Sequence, residues 1–176
     1  MSELFERLKK NKNFACSKRA LETICFFTEG LGDLSIDDSN GTMTVLMDKL
    51  KDLNMPFAVF SDVQPNPTCE NVMNGYGVYK SENCDCIVAV GGGSPMDTAK
   101  IIGAKAARPK KDIRKFLGLF SVRKKIPMLY AVPTTAGTGS EATLAAVITD
   151  EKKNHKIPIC DPVLMPRRAI LEPRLT

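Results

Sequence analysis

One histidine in 176 residues is the tightest limit this sequence sets. His155 stands alone, so no multi-histidine metal site can be assembled within the chain, and a Ser/His/Asp triad would have to use it. It lies in the charged turn Asp150-Glu151-Lys152-Lys153-Asn154-His155-Lys156, where an exposed imidazole is the plain expectation. No window approaches the ~20 apolar residues of a transmembrane helix, and the polar, Lys-rich N-terminus lacks a signal-peptide core. A cytoplasmic protein without a membrane partner is expected. Six cysteines are present, but Cys84 and Cys86 form C-x-C rather than C-x-x-C and no second pair is near. Reduced, mostly buried thiols are expected instead. The net charge of +5 is spread over Lys9-Lys10, Lys110-Lys111, Arg123-Lys124-Lys125 and Lys152-Lys153. That dispersal, without interleaved aromatics, describes solvated surface rather than a nucleic-acid face.

Familiar phosphate-binding fingerprints are missing too. Met96 occupies the last glycine position of G-x-G-x-x-G, and there is no G-x-x-x-x-G-K-[ST] element. The acidic stretch Gly32 to Gly41 does not have the spacing of an EF-hand. What is present is Asp85 to Lys100, an apolar run of strand length that meets Gly91-Gly92-Gly93 and then Ser94-Pro95-Met96-Asp97. Glycines permit a sharp turn and let an anion approach the backbone. Ser94 suits the N-cap and Pro95 the first helical position, with Asp97 adding first-turn negative charge. The unpaired N–H groups of such a helix start bind phosphate, so a nucleotide is the default ligand.

With 43% hydrophobic and 26% charged residues, the chain reads as one globular domain. Helices are predicted over 1–12, 43–53, 68–79 and 94–107, the third capped by Thr68 after the stiff turn Val63 to Pro67. Strands are predicted at 23–28, 57–60, 86–90 and 127–132, with a pair at 145–149 and 156–160. Residues 109–125 read as a connecting segment or surface helix, and 161–176 as extended and interrupted. This β-α-β-α order implies an α/β, Rossmann-like parallel sheet with flanking helices and ligand binding at the strands' carboxyl ends. Glu29 ends the first strand, where an acid can accept bonds from a ribose hydroxyl and repel a 2′-phosphate. The strand at 127–132 runs into Pro133-Thr134-Thr135-Ala136-Gly137-Thr138-Gly139-Ser140-Glu141, a second strand end rich in hydroxyls and glycine. It fails the G-x-S-x-G nucleophile pattern.

Val63 to Thr68, Gly91 to Lys100, Pro133 to Glu141, Val147 to Asp150 and Leu171 to Thr176 together resemble the iron-containing (group III) alcohol dehydrogenases. The resemblance is strongest to the lactaldehyde reductase and 1,3-propanediol dehydrogenase branch and covers about residues 53–176. It implies a dehydroquinate synthase-like N-terminal domain over 1–176 that binds NAD, with 1–52 divergent or shortened and 161–176 beginning the connection to a helical metal-binding domain. Gly92, Gly93 and Ser94 would bind the pyrophosphate, with Asp97 beside them. Thr134, Thr135 and Thr138 would line the adenosine and nicotinamide side, Lys156 and Leu175 would touch cofactor, and Glu29 would favour NAD over NADP. In the family the iron ligands, one Asp and three His, lie beyond the point matching Thr176, so the resemblance implies the cofactor half alone, with the helical metal-binding domain expected to be absent. The implied activity is hydride transfer between NAD(H) and a small alcohol or aldehyde, with a homodimer as the family expectation. Alternatives are an inactive truncated fragment that at most binds nucleotide, and a glycerol dehydrogenase-like or dehydroquinate synthase-like relative.

Overall fold

A computed structural model describes residues 24–29, 47–48, 50–52 and 54–175. The helix expected over 1–12, the acidic loop 32–41 and the start of the helix at 43–53 lie outside the described residues. Five strands form the main sheet: β1 (Ile24–Glu29), β2 (Phe57–Val63), β3 (Cys86–Gly91), β5 (Met128–Pro133) and β8 (Arg168–Ala169). Their order is β2-β1-β3-β5-β8, and every neighbouring pair is parallel. Helix α1 (Cys69–Ser81) joins β2 to β3, and α2 (Gly93–Ala107) follows β3. The chain thus runs outward from β1 to β2, then returns across β1 to β3. That reversal puts a crevice at the carboxyl ends of β1 and β3, where open α/β sheets bind ligands.

Strand β3 is buried along its whole length, as a central parallel strand must be. Its period-2 geometry sends Ile87 and Ala89 into the larger core with α1 and α2, and Cys86, Val88 and Val90 into a smaller cluster with Leu50, Tyr130 and Val132. Helix α1 starts as its sequence dictates: Thr68 Oγ1 accepts from Asn71 N at 3.0 Å. The two polar-turn strands form a second, small sheet. β6 (Ala145–Asp150) pairs antiparallel with β7 (His155–Cys160), and the two-residue β4 (Gly118–Leu119) lies parallel to β7. Thr149 N donates to Pro67 O at 2.8 Å, which fastens this hairpin to the loop before α1.

Two segments differ from expectation. Residues 109–125 form only a short 3-10 turn at Ile113–Phe116 and β4, because Phe116 turns inward and is fully buried while Asp161 ties down the following loop. The Asp161 carboxylate accepts from Val122 N at 3.0 Å and Arg123 N at 2.9 Å. The tail beyond Asp161 is more ordered than extended chain. β8 adds a fifth strand beside β5, with Arg167 N bonded to Leu129 O and Ile170 N to Ala131 O. Cys69, Cys84 and Cys86 are buried and Cys160 is half-buried, and none of these four forms a disulfide. No helix of the described residues is long and apolar enough to cross a membrane.

Candidate functional site

The crevice is built around the turn from β3 into α2. Gly91 has φ +137°, and a Cβ there would sit 2.8 Å from the Pro95 ring carbon Cγ. No other residue type makes that turn without strain. The helix begins earlier than expected: Gly92 is the N-cap, with extended backbone and no side-chain cap bond. Ser94 is therefore the second helical residue and Pro95 the third. Asp97 falls outside the first turn, which holds no acidic residue. This shift favours an anion at the helix start. Without a capping side chain, the N–H groups at the start of α2 have no local acceptor of their own, and the positive end of the helix dipole faces the crevice.

The second loop closes on the first. Thr134 N donates to Gly91 O at 3.0 Å. A Cβ built on Gly93 would meet Ser140 Oγ at 3.6 Å and Thr138 Cγ2 at 3.7 Å. The hydroxyl-rich loop after β5 therefore stands directly over the first residue of α2. Thr134 is half-buried, while Thr135 and Thr138 are exposed. Glu29 lies at the end of β1: Thr28 pairs with Val90, so the backbone of residue 29 is level with the start of the glycine loop. Lys156 sits on the β6–β7 hairpin, exposed, with its Nζ 3.5 Å from Asn66 Oδ1 of the loop before α1. Leu175 packs on the other side of the sheet, against the cluster containing Val90 and Val132. Glycines 92 and 93, Ser94, Thr134 and Thr138 thus come together, whereas Lys156 and Leu175 stand at the periphery.

Asp97 is placed differently from its neighbours. Its Oδ2 accepts from Val147 N at 2.9 Å, and burial raises its carboxyl above the usual range. One residue that sequence reasoning passed over lies beside it. Lys100 is fully buried, and its Nζ donates to Thr143 Oγ1 at 3.0 Å and Ala145 O at 2.8 Å. Burial lowers its pKa to about 8, against the opposing pull of Asp97 and Glu141. The signal was spacing: Lys100 follows Met96 and precedes Ala104 by four residues each, on the buried face of the helix.

A second cluster has the composition of a metal site. Cys69 Sγ and carboxylate oxygens of Asp150 and Glu151 lie within 4.8 Å of one another. Arg114 already neutralises it, with Nε 3.2 Å from Asp150 Oδ1 and an Nη 3.5 Å from Glu151 Oε1. Glu151 also accepts from Cys69 N at 3.2 Å, and burial pushes the Cys69 thiol up to about 11. A protonated thiol and two paired carboxylates are poor ligands. This cluster instead makes stability acid-sensitive, with a definite sign. Desolvation raises the Asp150 carboxyl, but hydrogen bonds from Arg114 and Lys152 N outweigh it and hold it below its usual value. That stabilisation is present above the ordinary carboxylate pKa and is lost as pH falls through the lower folded value. Urea midpoints measured from about pH 6 down to about pH 2 should fall less steeply in Arg114→Met than in the wild type. Parallel slopes would contradict the pairing.

Residues 30–173 match the family model described as iron-containing alcohol dehydrogenase. The chain belongs to the iron-containing alcohol dehydrogenase family. It is 41% identical over 137 residues to an NAD-dependent methanol dehydrogenase of Bacillus methanolicus, covering 78% of this chain and 36% of that protein. It is 38% identical over 133 residues to a lactaldehyde reductase of Escherichia coli strain K12, covering 75% and 35%. Among solved structures, a 1,3-propanediol oxidoreductase superimposes with a TM-score of 0.80 at 34% identity, over 88% of this chain and 39% of that one. The chain therefore spans between a third and two fifths of the length of these relatives, and matches their N-terminal part. The α/β fold with its mostly parallel sheet is that of the iron-containing alcohol dehydrogenases, as the resemblance implied.

Proposed function

We propose that the turn at Gly91–Ser94 and the loop Thr134–Ser140 form the pyrophosphate site of NAD(H), and that this chain is the dinucleotide-binding half of an NAD-dependent, iron-type alcohol dehydrogenase. The observation that carries the reading is the approach of Thr138 and Ser140 to the side-chain-free Gly93. Two loops narrow there over a helix N-terminus, leaving backbone donors on one wall and hydroxyls on the other. That is the donor set a bridging diphosphate requires. Thr134 and Thr135 would then flank the ribose and nicotinamide, Glu29 would take the adenosine ribose hydroxyls, and Lys156 and Leu175 would contact the ends of the cofactor. The name of the methanol dehydrogenase relative, NAD-dependent, supports the choice of cofactor.

The bound nicotinamide would accept or supply the hydride exchanged with a small alcohol or aldehyde. The chain's own part is to bind and orient the dinucleotide. Its residues do not fit the family's iron: there is one histidine, exposed on a hairpin, and the Cys69 cluster is closed by Arg114. By itself the chain is expected to bind NADH without oxidising alcohols, and metal-dependent turnover by this polypeptide alone would refute that.

A ligand that binds only the folded state raises its stability by mass action. ADP-ribose at about 100 times its Kd should therefore add about 2.7 kcal/mol, a rise of several degrees in Tm. Nicotinamide mononucleotide, which lacks the diphosphate bridge, should shift Tm far less. Equal shifts from the two would argue against a pyrophosphate site.

A further inference from the structure

Burying a lysine is costly unless its charge is bonded, so a fully buried one needs a reason. Lys100 has no exposed surface, and both of its hydrogen bonds go to one place, Thr143 Oγ1 and Ala145 O. Three residues earlier on the same helix, Asp97 takes the N–H of Val147. Residues 143, 145 and 147 are alternate positions where the second loop becomes β6. Thr143 in turn lies within hydrogen-bonding reach of Ser140 O at 3.5 Å. One face of α2 thus grips the far end of the very loop whose near end stands over Gly93.

We propose that Asp97 and Lys100 are a positioning pair: they hold the 138–147 segment at a fixed height over the N-terminus of α2 and so set the width of the cleft that admits the dinucleotide. The ligand in this statement rests on the nucleotide reading above; the grip on the loop does not. The charged and titratable groups facing Lys100 are Asp97 from α2, Glu141 from the 3-10 turn Ser140–Ala142 and Cys160 from β7. Asp97 Oδ1 and Glu141 Oε2 are buried without hydrogen-bond partners. The lysine charge is what offsets these two carboxylates, while its N–H groups do the positioning.

Those two roles separate in three variants of the chain. Lys100→Met keeps the length of the side chain and removes all donors. Amide exchange without nucleotide should quicken about tenfold or more over residues 140–147, with β3 and β5 unchanged. The Kd for NADH should rise about tenfold, the loss of one or two hydrogen bonds to a charged donor. Asp97→Asn combined with Lys100→Met removes one unbalanced carboxylate but keeps an oxygen for Val147 N. Its Tm should recover towards wild type while the fast exchange and weak NADH binding persist. Thr143→Val deletes one partner and leaves the lysine charge in place, so it tests the grip even if the lysine variants fold poorly. It should change exchange and Kd in the same direction, by about threefold. Unchanged exchange over 140–147 in Thr143→Val and Lys100→Met, or full recovery of exchange and affinity in the double variant, would overturn the proposal. Should the wild type bind no NADH, the nucleotide reading fails while the exchange results still decide the grip.

Discussion

Gly93→Asp is expected to abolish NADH binding and leave the fold intact. A Cβ at this position would make contacts of 3.6–3.8 Å with Ser140 and Thr138, ordinary van der Waals distances, and Gly93 has no positive φ. A Cβ is therefore accommodated without strain. The aspartate stands at the first helical position, where a carboxylate complements the helix dipole and adds about 0.5 kcal/mol of stability. The same carboxylate would occupy the place of the phosphate and repel it. Affinity should fall at least 100-fold, roughly 3 kcal/mol, while urea unfolding shows no loss. Nicotinamide fluorescence measures the first and tryptophan-independent circular dichroism the second. Binding within about threefold of wild type would mean that the diphosphate does not rest on this helix.

Gly91→Ala is expected to have the opposite profile, a large cost in stability. The residue sits at φ +137°, and its new methyl carbon would lie 2.8 Å from a carbon of the Pro95 ring. A rigid proline in the first turn of α2 cannot swing aside as a flexible side chain would. Backbone strain of about 1–3 kcal/mol and overpacking of a similar size should combine to about 3–5 kcal/mol. The denaturation midpoint reports this directly, and a change under about 1 kcal/mol would show that the strand-to-helix turn can be made another way. Together the two substitutions separate the glycine that shapes the turn from the glycine proposed to leave room for the diphosphate.

Much of this was legible in the sequence because local chemistry agreed with the fold. The apolar run Cys86 to Val90 is central and buried, Thr68 caps α1, the strands at 145–150 and 155–160 form a hairpin, and α2 ends at Ala107. The start of α2 lies two residues before the cap its sequence suggests, because Ser94 and Pro95 have strong preferences for the cap and the first turn, whereas Gly92, with no side chain, gives no such signal. Tertiary contact decided other points. Arg168–Ala169 becomes a strand only because β5 offers an open edge, and Phe116 is drawn into the core rather than onto a surface helix. What Lys100 binds is not legible locally, since its partners, Thr143 and Ala145, lie more than forty residues away.

The most direct test of the central claim is a titration of the chain with NADH, following nicotinamide fluorescence, with ADP-ribose as competitor. Saturable enhancement that ADP-ribose reverses is the expected result, because the two loops proposed to hold the diphosphate both lie within residues 91–140. No saturable binding, or binding that ADP-ribose leaves untouched, would contradict a pyrophosphate site at the junction of β3 and α2.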